Sequence, residues 1–131
     1  MIAILGCIII VVILVWVTRS KKEYYLVRGQ KSYEKHCANC HGKNGEGLKL
    51  LIPPLTDPTW VNNDSIICII RNGLEGNIQV NGKSYNSRMT GNAQIEPDEI
   101  SDLVSYIRHS FTHQPGRLTI QQVGEQVLKC K

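Results

Sequence analysis

Ile2 to Val17 is a run of sixteen residues with no charge and no polar side chain except Cys7. As a helix it would measure roughly 24 Å. Met1, Thr18 and the flanking Arg19, Lys21 and Lys22, whose stems reach toward a polar boundary, extend it into one N-terminal transmembrane helix over residues 1–19. Residues 20–26 then read as a polar juxtamembrane linker. Leu26, Gly29, Tyr33 and Cys37 share one face of a helix over 26–38. Asn63 or Asp64 caps a second helix holding Ile66, Ile67, Ile69 and Ile70, which Gly73 closes. Apolar residues alternate from Ile78 to Tyr85 around Asn81-Gly82, which predicts a small β-hairpin. A last long helix starts at Pro97, with Asp98 and Glu99 in its first turn, Arg108 near its end, and Ile100, Leu103, Val104 and Ile107 as its inward stripe. Beyond Pro115-Gly116, Thr119 and Gln122 fit a capping box ahead of Ile120, Val123 and Val127. The tail, residues 114–131, is therefore expected to hold a short helix packed on its own domain rather than docked on a partner.

A cleaved signal peptide is the alternative for the apolar run. The run lacks a basic leading segment, and no small-residue pair of cleavage type follows it. Lipidation at Cys7 fits poorly because ten more apolar residues come after it. An uncleaved anchor is the expectation. The cations that follow the run would by themselves place the C-terminal domain in the cytoplasm; the cysteine chemistry below points to the opposite side, and we give it more weight.

Composition narrows the function. The chain has 131 residues, enough for one domain of about 27–113 besides the anchor and tail. Without Arg19, Lys21 and Lys22 the charges nearly balance, with 12 Lys and Arg against 11 Asp and Glu. Nucleic-acid binding, which needs a concentrated positive face, is not expected. Large apolar side chains are scarce outside the anchor, with one Phe, two Trp and five Tyr in the whole chain, and Trp16 lies in the anchor itself. An apolar prosthetic group would supply buried area that the side chains do not.

Cys37-Ala38-Asn39-Cys40-His41 has the C-x-x-C-H spacing of covalent c-type haem attachment. Two thiols three residues apart on a helical turn face the same way and can form thioethers to the two vinyl groups of one haem. His41, four residues after Cys37, projects over the same face toward the iron. Zinc would need further ligands at short spacing, whereas Cys68 and Cys130 are isolated. A thioredoxin-like dithiol would sit between a strand and a helix, and here a Gly-rich loop follows, Gly42 to Gly47.

Over residues 27–111 the chain resembles class I cytochrome c. Gly29 and Tyr33 stand where such proteins place a glycine and an aromatic on the N-terminal helix, and Leu103 and Tyr106 match the C-terminal helix that crosses it. The resemblance implies an all-α class I cytochrome c fold with one covalently bound haem c. Pro53-Pro54-Leu55 is similar to the family's P-x-L, which gives Pro53 the role of accepting a hydrogen bond from the axial histidine. Met89 is the only methionine outside the anchor and stands where the family places its second axial ligand, although Thr90 replaces the usual proline after it. His41 and Met89 are thus the expected iron ligands. Cys37, Cys40, Pro53, Leu55 and Trp60 complete the expected cofactor site, Trp60 donating to a haem propionate or to another acceptor. His36, His109 and His113 are not expected to ligate. Cys68 lies in an Ile-rich run that favours an ordinary core thiol over a Cys68–Cys130 disulfide.

The implied function is electron transfer in a bacterial respiratory chain, not catalysis, since Met89 would close the iron and no small-molecule substrate site is evident. The expected partners are the membrane and redox proteins, with the haem domain on the periplasmic face of the inner membrane. An integral relay subunit of a larger complex, such as a nitric oxide reductase, terminal oxidase, quinol-oxidising complex or dehydrogenase, is the alternative. A gas sensor in which Met89 dissociates is the third.

Overall fold

A computed structural model describes residues 2–130. Met1 and Lys131, at the ends of the expected anchor and tail, and the side chains of Ile2, Ala3 and Lys22 lie outside the described residues. The elements are α1 (Ile2–His36), α2 (Ala38–His41), α3 (Pro58–Val61), α4 (Ser65–Asn72), β1 (Gly73–Leu74), β2 (Ile78–Val80), β3 (Lys83–Tyr85), β4 (Met89–Thr90), α5 (Pro97–Phe111) and α6 (Ile120–Val127).

The expected linker at 20–26 is helical instead. The apolar run and the first helix of the domain form one 35-residue helix. The segment between them is polar but holds neither Gly nor Pro, so nothing in its backbone stops propagation. Ile4 to Val17 are exposed along their whole length, and this is the one described helix long and apolar enough to cross a membrane.

The C-terminal half of α1 crosses α5. A Cβ on Gly29 would lie 2.1 Å from the Asp102 carbonyl oxygen and 2.6 Å from Tyr106 Cβ, so only glycine allows this approach. Tyr33, Tyr106 and Phe111 pack beyond the crossing in tilted and edge-to-face pairs with centroids 5.2–5.9 Å apart. Ile100, Leu103, Val104 and Ile107 form the buried stripe of α5 as expected. The same helix also buries Ser101, Asp102 and Ser105. The Asp102 carboxylate lies 2.9 Å from Arg28 Nε of α1 and 2.6 Å from Arg117 Nη2 of the tail. Ser105 Oγ accepts from the Leu118 amide, and Ser101 Oγ donates to the Leu118 carbonyl.

In the hairpin, Val80 pairs with Lys83 across Asn81 and Gly82, both at positive φ. Helix α6 carries both bonds of its capping box, Gln122 N to Thr119 Oγ1 and Thr119 N to Gln122 Oε1. Val123 is fully buried against the core.

Cys68 and Cys130 form a disulfide, contrary to the expectation of a free core thiol. Ile66, Ile69 and Ile70 occupy one face of α4 and Cys68 the opposite one, toward α6. The bridge closes a 62-residue span. Changing both cysteines to serine should cost about 4 kcal/mol by the loop-entropy relation, read from denaturant midpoints, and thiol titration of the unfolded wild type should find neither thiol free.

Candidate functional site

Residues 37–41 form the turn that ends α1. Cys37 N donates to the Tyr33 carbonyl, continuing the helical pattern, and His41 N donates to the Cys37 carbonyl at 2.9 Å. Tyr33 Oη donates to the Gly42 carbonyl at 2.6 Å, pinning the following loop to α1. Both Cys37 and Cys40 are free thiols, Cys37 half-buried and Cys40 exposed. Burial pushes the Cys37 thiol up to about 11, so it stays protonated at neutral pH.

His41 is buried. Its Nδ1 donates to the Pro53 carbonyl at 3.0 Å, the bond expected from Pro53-Pro54-Leu55. Pro53 O can only accept, which fixes the tautomer and leaves the Nε2 lone pair free for a metal. Burial lowers the His41 pKa and the Pro53 bond opposes that shift, so the ring is neutral at neutral pH.

His41 faces a narrow apolar crevice. Pro53, Leu55 and Trp60 form one side, Ile66, Ile69 and Ile70 of α4 another, and Ile107 of α5 the floor. It adjoins a wider cleft on the Cys40 side, lined in part by the same residues. Cys37, His41 and Met89 border both spaces.

Met89 reaches the cavity from a strand that the sequence pattern did not indicate. β4 pairs antiparallel with β1, Leu74 opposite Met89 and Gly73 opposite Thr90. The Asn92 amide donates to the Ile70 carbonyl at 2.8 Å just beyond it. A Cβ on Gly91 would fall 2.4 Å from Gly73 N, and one on Gly73 2.3 Å from the Met89 carbonyl oxygen. Two glycines therefore let the chain that bears Met89 lie directly on the end of α4. This ladder pairs the backbone at Met89 and Thr90, where the usual proline is missing.

The structure thus gathers Cys37, Cys40, His41, Pro53, Leu55, Trp60 and Met89 around one crevice. His109 and His113 are absent from its walls, and His36 stands at the outer cleft paired with Glu99 at 3.1 Å. Among the described residues no group of three or more His, Cys, Asp or Glu is gathered. The α4 isoleucines were legible as a helix but not as a wall of the site; their i, i+3, i+4 spacing opposite Cys68 is the signal that would have found them.

A neutral imidazole with a free Nε2, a thioether from a separate strand, two thiols beside the histidine and apolar walls between them suit an iron porphyrin. The chain belongs to the cytochrome c family. The family model for cytochrome c matches residues 26–111. Cytochrome c-552 from Thermus thermophilus is 33% identical over 85 residues, 60% of this chain and 64% of that protein. A cytochrome c-552 from a further strain of the same species is 33% identical over 85 residues, 57% of its length. The chain therefore spans less than two thirds of either relative. The cofactor of this family is covalently attached haem c, and the crevice residues fit it.

Trp60 Nε1 donates to the Gln79 carbonyl at 2.8 Å, tying α3 to the hairpin. Of the two acceptors open to it from sequence, it takes one within the protein. Trp60→Phe should lower stability by about 1 kcal/mol, the worth of one such bond; equilibrium denaturation of the haem-loaded protein measures it.

Proposed function

We propose that this cytochrome c is a membrane-anchored electron carrier, not a catalyst, with redox proteins as its partners. One-electron exchange between ferric and ferrous iron is the chemistry that haem c supplies when bound. Cys37 and Cys40 would tether the porphyrin through thioethers, and His41 Nε2 and the Met89 thioether would hold its iron. The observation that carries this reading is the convergence of His41, oriented by Pro53, and Met89, held by the β1–β4 ladder, on one apolar crevice.

Held by these two side chains, the iron would keep its ligands through a change of charge, and the apolar lining of the crevice would limit the solvent rearrangement that accompanies electron transfer.

The exposed apolar stretch of α1 supports the anchor. The Cys68–Cys130 disulfide supports placing the haem domain outside the cytoplasm, on the periplasmic face of a bacterial inner membrane in a respiratory chain. An integral relay subunit of a respiratory complex is the second reading, and the unbroken passage of α1 into the domain favours it.

Met89→Ala should let the reduced protein bind carbon monoxide. It should also lower the reduction potential by on the order of 100 mV, part of the roughly 0.8 V that axial ligands span. Cys37→Ser with Cys40→Ser should leave no haem attached after acid extraction. A Met89→Ala protein with an unchanged spectrum and no carbon monoxide binding would assign the ligand elsewhere.

A further inference from the structure

We infer that α1 is a stiff strut that holds the haem crevice at a fixed height above the bilayer, so that the electron partner is an integral membrane redox protein whose own centre opens at that level. This rests on the membrane-anchor reading above and goes beyond it, because an anchor by itself is compatible with a swinging tether.

Three observations carry the inference. First, α1 runs unbroken from Ile2 to His36, and its only glycines are Gly6 and Gly29. Sharp bends in helices occur at proline, at Gly/Ser pairs or at bulges, and Thr18 to Tyr24 contain no proline and no glycine.

Second, the domain grips the helix almost at once. Tyr25 is buried, with the Arg117 guanidinium 5.2 Å from its ring centroid. Arg28 lies 3.1 Å from Asp98 and 2.9 Å from Asp102, and Gly29 touches α5 directly. Between Val17 and Tyr25 only two turns of helix are free, about 10 Å. Swivelling about Tyr25 would break the ion pairs that Arg28 and Arg117 make with the buried Asp102 and open the contact of Gly29 with α5.

Third, the same helix ends at the crevice. Cys37 follows His36 directly, and from Thr18 to Cys37 the axis advances about 28 Å. No loop separates the bilayer boundary from the first haem-attachment residue. The level of the crevice is therefore set by the number of residues in one helix.

A flexible tether lets a domain search a volume, so its electron transfer tolerates added length. A strut does not. Seven alanines inserted after Ser20 extend the helix by about 10 Å and almost restore its rotational phase. Seven residues of alternating glycine and serine at the same place add as much chain but allow the domain to settle back. The test uses the full-length, haem-loaded protein and follows haem oxidation in native membranes. The alanine variant should be slowed about ten-fold or more, while the glycine-serine variant stays within about three-fold of native.

The second measurement is polarised absorption of the haem in aligned bilayers of phosphatidylcholine and phosphatidylglycerol. The native and alanine forms should be dichroic and the glycine-serine form isotropic. Equal rates for the two insertions would overturn the inference, whether both are slow or both are unaffected, as a soluble partner would make them. An isotropic signal from the native protein that remains in the membrane after alkaline carbonate would also overturn it and leave the anchor standing. Release of the native protein by carbonate would overturn the anchor and the inference together.

Discussion

The contact between α1 and α5 at Gly29 sets the geometry on which the rest of the domain depends. With no side chain there, the backbones meet, and the Asp102 carbonyl oxygen occupies space that any Cβ would need. That distance brings Tyr33 within reach of Tyr106 and Phe111, and so fixes where α1 ends relative to the core. Because Cys37 and His41 follow that end within one turn, the crossing positions the attachment site. Ile107, four residues after Leu103 on the same stripe of α5, becomes the floor of the cavity for the same reason.

Beside this crossing lies a buried charge. Asp102 is almost fully enclosed, and its two partners, Arg28 and Arg117, are each a little over 40% exposed. Desolvating a carboxylate costs several kcal/mol, and attraction to half-exposed guanidinium groups returns only part of that. Its net contribution to stability is thus small, whereas removing either arginine would leave the carboxylate under-compensated. What the network provides is specificity of arrangement: it joins α1, α5 and the strand of tail before α6, which Ser101 and Ser105 then hold by bonds to the Leu118 backbone. The disulfide fastens the far end of the same tail to α4, the helix whose other face lines the crevice. The tail therefore completes the structure that supports the site.

Much of the fold was legible because its signals are local. The spacing in Cys37–His41, the Asn81-Gly82 pair, Pro97 with its acidic first turn, and the stripe from Ile100 to Ile107 each depend on a few neighbouring residues. Met89 and Pro53 were legible through a family resemblance, and the structure puts both on the crevice. What escaped the sequence depends on the third dimension. A two-residue strand such as Met89–Thr90 has no period to detect, and its pairing with Gly73–Leu74 is visible only once α4 has placed its C-terminal end. The disulfide joins residues 62 apart, and a cysteine among isoleucines reads as core until its face of α4 is known. Asp102 and its flanking serines look like the solvent side of α5, although the crossing buries them. The helical run from 18 to 26 was masked by polarity, a poor guide to backbone continuity when neither proline nor glycine interrupts it.

The proposed outward orientation has to answer the cations that follow the anchor. Arg19, Lys21 and Lys22 favour retention on the cytoplasmic side, but that bias governs short loops, and longer domains cross largely regardless of charge. More than a hundred residues follow Lys22 and fold into one unit. Against three charges stand two cysteine pairs with different requirements. Cys68 and Cys130 need an oxidising compartment, since cytosolic reductants keep such pairs as thiols. Cys37 and Cys40 need to remain thiols long enough to be alkylated, in the same compartment. The chain separates these demands in space, with the disulfide behind α4 and the attachment thiols across the crevice from it, the α4 isoleucines standing between. Both chemistries can then proceed in one domain in one compartment, and it is the disulfide that weighs for the proposed outward orientation.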